Sequence, residues 1–186
     1  MQQHGIGALS AGTWAIDPHR STVGVLFHDL RTTMVYGNFG EFAGELIIDD
    51  DGTASIWAEI RLDSMVTGNE FLDARLRSRS LLGVGEPPTA VFISQAFRAG
   101  AGPVVVPGKL LVQEISKPVT VEIVPIGRRC GGHAYSAADV GVTSVVSRAG
   151  LGVKGVAPMP GDATGHDEIT LIAAITLTPA SMPIAM

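Results

Sequence analysis

Five histidines, one cysteine and a short run of arginines are the side chains of this 186-residue chain with the chemistry to build a site. A zinc centre takes three or four ligands at tetrahedral angles, usually including one short-spaced pair. His4, His19, His28, His133 and His166 contain no such pair, and the nearest two, His19 and His28, straddle a turn and a strand. No metal is therefore expected. Cys130 is alone, which excludes an internal disulfide, and it sits in the turn Cys130-Gly131-Gly132 with only His133 close by. A Gly-x-Ser-x-Gly elbow is absent, and Gly150 and Gly152 lack the strand-to-helix context of a dinucleotide loop. No catalytic residue and no cofactor is predicted.

The charged residues say more. Arg75 and Arg79 are four apart and share a face of any helix that contains them, with Arg77 turned away. Guanidinium forks hold phosphate or carboxylate through two parallel hydrogen bonds. Arg75 is therefore a candidate for the head group of an amphiphilic ligand. Asp29, Glu41 and Glu45 are carboxylates that could meet in space, with a solvated rim as the plainer expectation.

The elements that must position these residues are strands. Apolar residues alternate with a period of two from Thr22 to Leu30, Ala54 to Leu62, Val104 to Val112, Val119 to Ile126 and Ile169 to Leu177. Turn clusters separate the runs at Asp49-Asp50-Asp51-Gly52, Gly100-Ala101-Gly102-Pro103, Gly131-Gly132 and Pro158-Met159-Pro160-Gly161. Many short strands with even turn spacing predict an all-β sandwich or barrel. Gly24 and Gly108 inside runs suit the bends of a closing barrel, and Gly24 is taken as an inward position. One segment breaks the alternation: residues 69–80 hold no Gly or Pro, and Phe71, Leu72 and Leu76 recur at helical spacing, so a short helix is predicted there.

Composition bounds the function classes. The chain is of one-domain size, 46% hydrophobic, with a formal net charge of -5, which argues against a nucleic-acid partner. No run approaches the eighteen or so apolar residues of an integral membrane span. Residues 1–12 carry no Lys or Arg and no apolar core of a signal peptide, so a cytoplasmic protein is expected.

Several motifs stand in one order: Trp14-Ala15-Ile16-Asp17-Pro18, Gly37-Asn38-Phe39-Gly40-Glu41-Phe42-Ala43-Gly44, Thr67-Gly68-Asn69, Leu76-Arg77-Ser78, Pro88-Thr89 with Phe92, Gly108-Lys109-Leu110 and Lys117-Pro118-Val119. In this order and spacing the chain resembles the polyisoprenoid-binding YceI family. The resemblance implies an antiparallel, lipocalin-like β-barrel of about eight strands, with the helix near its mouth and a long isoprenoid or fatty chain inside. It also implies that family members commonly pair, so a homodimer is expected. A flexible segment 1–12, a barrel domain 13–178 and a tail 179–186 follow from its extent. The family's polar positions are altered here. Arg20, Asp29 and Arg75 occupy three family histidine positions, and Arg148-Ala149-Gly150 keeps the family arginine while losing the aspartate. A different head-group grip, or none, is implied.

Binding of an elongated lipid-like ligand, as carrier or store, is the function expected on these grounds. Ten buried methylenes at about 0.8 kcal/mol each would supply about 8 kcal/mol, equivalent to micromolar affinity, without any polar signature. Candidate ligand-binding residues are Trp14, Val25, Phe27, Phe39, Phe42, Trp57, Leu76, Phe92 and Leu110 on the wall, with Arg75 and Arg148 as polar partners. The alternatives are an enzyme on the same barrel, using Asp29, Arg75 and Arg148, and a ligand-free structural or stress-response domain.

Overall fold

The computed structural model describes residues 6–28, 34–77, 89–112, 114–131, 134–147 and 168–180; for residues 8, 28, 75–77, 128–131 and 134–136 the main chain alone is described. The alternating runs form twelve strands: β1 (Gly12–Ile16), β2 (Thr22–His28), β3 (Met34–Phe39), β4 (Phe42–Ile48), β5 (Thr53–Arg61), β6 (Met65–Val66), β7 (Thr89–Ser94), β8 (Phe97–Arg98), β9 (Val104–Val112), β10 (Ile115–Gly131), β11 (Ala134–Ser147) and β12 (Glu168–Pro179). All pairings are antiparallel.

Eight of these strands close into a ring in the order β1-β4-β5-β7-β9-β10-β11-β12, with β12 returning to β1. Closure gives every ring strand two neighbours and creates an interior just wide enough for side chains or one small ligand. β12 is long enough to serve two partners. Its C-terminal part closes the ring through Trp14↔Pro179 and Ile16↔Leu177, while Ala174↔Thr22 to Thr170↔Leu26 hold β2, and behind it β3 and β6. Thr176, between the two stretches, is buried. Its N–H donates to Ser21 Oγ at 2.9 Å, and its own hydroxyl lies 3.0 Å from the Arg20 carbonyl and 2.7 Å from Asp139 Oδ1. These bonds fix the turn that carries the chain from β1 to β2.

Period-two alternation sorts the side chains. Trp14, Leu46, Ile48, Ala54, Val106, Ile123, Ile175 and Leu177 are buried together inside the ring. Fully burying one large aliphatic side chain is worth roughly 1.5–3 kcal/mol, so this shared interior is the main source of stability. The turn between β4 and β5 is the one the acidic cluster announced. Gly52 N–H donates to the Asp49 carbonyl at 2.9 Å, with Gly52 at φ 81°, a conformation that glycine adopts without steric cost.

Ahead of β1, Ile6–Ala8 form a 3-10 turn whose Gly7 N–H donates to the Gly100 carbonyl at 2.9 Å. Ile6 and Leu9 are buried in the main core, so the segment expected to be flexible over 1–12 contributes two core residues. Both are aliphatic and lie beside the β8–β9 turn, where they close one end of the barrel.

The helix expected within residues 69–80 is α1 (Glu70–Arg77). Asn69 caps it, its Oδ1 accepting from the Phe71 and Leu72 N–H groups at 3.1 Å each. Asp73, only 5% exposed, accepts at one oxygen from the Thr67 N–H at 2.8 Å and the Thr67 hydroxyl at 2.6 Å, which fastens α1 to the segment after β6. Phe71 belongs to the apolar spacing that predicted the helix, yet it stands 74% exposed.

Candidate functional site: an apolar cavity in the barrel

The ring encloses a cavity of about 150 Å³. Its wall is built from the inward positions of all eight ring strands and β2, among them Ile16, Val23, Leu46, Ile56, Ile60, Phe92, Leu110, Val121, Val140 and Leu171, with Ile6 at the closed end. Where Gly44 lies opposite Ala58 the wall has almost no side chain. A Cβ built on Gly44 would stand 2.8 Å from the Trp57 carbonyl oxygen and 2.8 Å from Ile16 Cδ1. Main chain therefore borders the cavity at this point, and neighbouring Ala43, Glu45, Trp57 and Glu59 reach it without turning inward.

The expected wall residues divide into three groups. Phe42, Phe92 and Leu110 line the cavity. Trp14, Val25, Phe27 and Phe39 face inward but are packed as core. Trp14 is 2% exposed with its indole N–H donating to the Ser10 carbonyl at 3.0 Å, and Val25 and Phe27 form a separate cluster with Met65, against which Phe39 packs. Trp57 is the exception: it stands 41% exposed in a row with Glu45 and Ile93, so its ring lies on the outer face. Its neighbours Ile56 and Ala58 are inward, and a strand cannot send adjacent side chains to one face. Arg148 lies outside the described residues, and for Arg75 and Leu76 only the main chain is described.

Gly24 is a correction of the same kind. Val23, Val25 and Phe27 are buried inside, so Gly24 faces outward, and its burial comes from the Tyr36 ring lying across it on the outer surface. The Tyr36 hydroxyl meets Asn38 Oδ1 at 2.8 Å, which holds the ring there.

The most informative irregularity of the wall lies between β10 and β11. The two strands pair from Gly131↔Ala134 to Glu122↔Thr143 and then part, although residues 115–121 continue in β10 and 144–147 in β11. β10 stays paired to β9 and β11 to β12. One side-chain bond crosses the seam: Ser144 Oγ–H donates to the Thr120 carbonyl at 2.8 Å. Val119, Val121, Ser144 and Val146, from the two sides of the seam, all line the cavity. In sequence the seam shows only as two polar residues, Lys117 and Ser144, at inward positions of otherwise apolar strand faces.

Outside the barrel, Arg61 makes a two-pronged contact with Asp63, Nε to Oδ1 at 3.1 Å and Nη2 to Oδ2 at 2.8 Å, and reaches Glu41 at 3.1 Å. The Arg61 hydrogen bond holds the Asp63 carboxyl below its usual range, and the same bond, with the charges of Asp63 and Glu41, raises the guanidinium further. Glu41 is thus committed to an ion pair, Glu45 lies on the outer face beside Trp57, and Asp29 lies outside the described residues. Among the described residues no three His, Cys, Asp or Glu side chains converge as a metal site, and no helix is long and apolar enough to cross a membrane.

A closed antiparallel barrel of eight strands around an apolar cavity defines a lipocalin-like architecture. Within that class the chain belongs to the YceI-like domain family, whose model matches residues 14–177. Among its relatives, a UPF0312 protein of Pseudomonas paraeruginosa is 28% identical over 126 residues, covering 66% of each chain. A UPF0312 protein of Yersinia enterocolitica is 30% identical over 120 residues, covering 62% of each. The match thus spans just under two thirds of the length of these relatives. Among solved structures, Burkholderia cenocepacia BcnA superposes with a TM-score of 0.69 at 19% identity, over 87% of this chain and 98% of that one. A YCEI protein of Campylobacter jejuni gives 0.68 at 16% identity, over 83% and 91%. A polyisoprenoid binding domain from Saccharophagus degradans, implicated in plant cell wall breakdown, gives 0.63 at 12% identity, over 89% and 98%. At these identities the structural likeness establishes the fold.

Proposed function

We propose that this protein binds the hydrocarbon chain of an isoprenoid or other lipid-like molecule inside its barrel, as a carrier or store rather than as an enzyme. The observation that carries this is the cavity itself, enclosed by the ring and walled almost entirely by aliphatic and phenylalanine side chains. Apolar cavities of this size stay dry and take small hydrocarbon guests, whereas drug-sized ligands fill about 300–1,000 Å³. A cavity near 150 Å³ therefore takes a segment of a chain, and a longer chain needs further room beyond it. The Saccharophagus domain of the same fold, described as polyisoprenoid binding, supports the ligand class.

Mass spectrometry of an organic extract of the purified protein tests the proposal. A stoichiometric prenyl or acyl lipid is expected. An empty extract, together with no rise in thermal midpoint when saturating farnesol or hexadecanol is added, would sink it, because a ligand that binds only the folded state must stabilise that state. Pairing of two copies belongs to the same proposal, supported by the exposed outer-face residues Val105, Ile126 and Val145. Sedimentation equilibrium returning only a 19.3 kDa species would remove it.

A further inference from the structure

The inner face of the barrel carries one charged side chain among those described. Along β10, Val121 and Val119 point inward opposite Val106 and Gly108, and the same alternation brings Lys117 to the inner face opposite Leu110. Leu110 and Val119 both line the cavity. The inward residues Leu110, Phe92, Ala58 and Gly44 are successive partners across β9, β7, β5 and β4, so Lys117 stands at the end of a row that crosses the cavity wall.

An inward position in a closed barrel is normally buried, yet Lys117 is exposed. The seam explains this: β11 has left β10 at Glu122↔Thr143, so nothing pairs with β10 on that side at Lys117. Among the described residues no ion pair engages its ammonium group, and the carboxylate nearest in sequence, Glu114, is exposed in the preceding turn. Inside, the cavity offers a polar head almost nothing, since the one hydroxyl among its lining residues, that of Ser144, is spent on the Thr120 carbonyl. Burying an unpaired head group would cost several kcal/mol, so the polar end of a ligand belongs at the seam and its chain inside.

We propose that the β10–β11 seam is a head-group site in which Lys117 selects amphiphiles whose hydrocarbon chain ends in an anion, a carboxylate or a phosphate. This rests on the proposed binding function. The long flexible stem of lysine suits it to the mouth of an apolar cavity, with its methylenes along the wall and its charge in water. An exposed ion pair of this kind is worth only a few-fold in affinity and weakens with salt.

The test is a matched set of probes, palmitate against hexadecanol and farnesyl monophosphate against farnesol, bound to the parent protein, Lys117→Gln and Lys117→Glu at low ionic strength. In the parent, the anionic probe of at least one pair should bind about three- to fivefold more tightly than its alcohol. Lys117→Gln should bring that ratio to about one and Lys117→Glu below one, while both alcohols bind all three proteins alike. A preference confined to palmitate identifies a carboxylate site, and one confined to the prenyl phosphate a phosphate site. A ratio that survives in Lys117→Gln, or alcohols that bind the parent as tightly as the anions, overturns the head-group site and leaves the cavity proposal standing. If no probe binds the parent, alcohols included, the cavity proposal falls and the head-group site falls with it.

Discussion

The Ser144 hydroxyl bonds to the Thr120 carbonyl where a main-chain ladder bond would otherwise be. In an extended strand a residue's N–H and C=O point to the same neighbour, so the Thr120 carbonyl faces β11 and the Ser144 bond ties it across the wall. Ser144→Ala should lower stability by about 1 kcal/mol, the net worth of one hydrogen bond, and Ser144→Thr should recover most of it. Urea denaturation measures both. An unchanged midpoint in Ser144→Ala would show that the seam stays closed without this bond.

Gly108 and Gly24 should respond differently to the same substitution. A Cβ on Gly108 would lie 2.5 Å from Phe92 Cε2 and 2.6 Å from the Ile93 carbonyl oxygen, inside the barrel and against main chain that cannot yield. Gly108→Ala should therefore cost about 1–3 kcal/mol and push the Phe92 ring toward the cavity. On Gly24 the obstacle is the half-exposed Tyr36 ring, free to swing into solvent. Gly24→Ala should cost less than about 1 kcal/mol and leave farnesol binding intact. Thermal melts with and without farnesol distinguish the two, and equal losses at both glycines would contradict this placement.

The end of α1 offers a separate test. Asn69→Ala removes the acceptor for two N–H groups and should cost about 1 kcal/mol, with faster amide exchange over Glu70–Arg77. Asp73→Ala should cost more, about 1–3 kcal/mol, because it strands a part-buried Thr67 N–H. If Asn69→Ala left exchange in the helix unchanged, Asn69 would not be its cap.

The Arg61 contacts predict a small acid-side effect. The Asp63 carboxyl is depressed in the folded state from an ordinary value of 3.8, so its contribution is present above that pH and is lost as pH falls through the lowered value. Arg61→Met should lower the thermal midpoint slightly at neutral pH, with the difference shrinking below about pH 4 and in high salt. Melts across this range check the sign. A gap that widens toward acid would place the stabilisation elsewhere.

Alternation and turn residues determined a great deal unaided. The division of β2, β5 and β9 into two faces follows from period-two sequence, as do the hairpin turns at Asp49–Gly52 and Gly131, because a side chain two residues along a strand must return to the same face; which face is inward did not follow for Gly24 and Trp57, both of which the barrel turns outward. The family motifs added closure into a barrel, which local periodicity cannot express. Tertiary structure alone decided the remainder. Whether an inward phenylalanine fills the core, as Phe27 does, or borders empty space, as Phe92 does, depends on what stands opposite it across the ring, several strands away in sequence. Ile6 could be recognised as core only once the barrel had an end to close. Lys117 reads in sequence as an ordinary exposed strand lysine. Its inward register gains meaning only where β11 leaves β10 and opens the wall beside it.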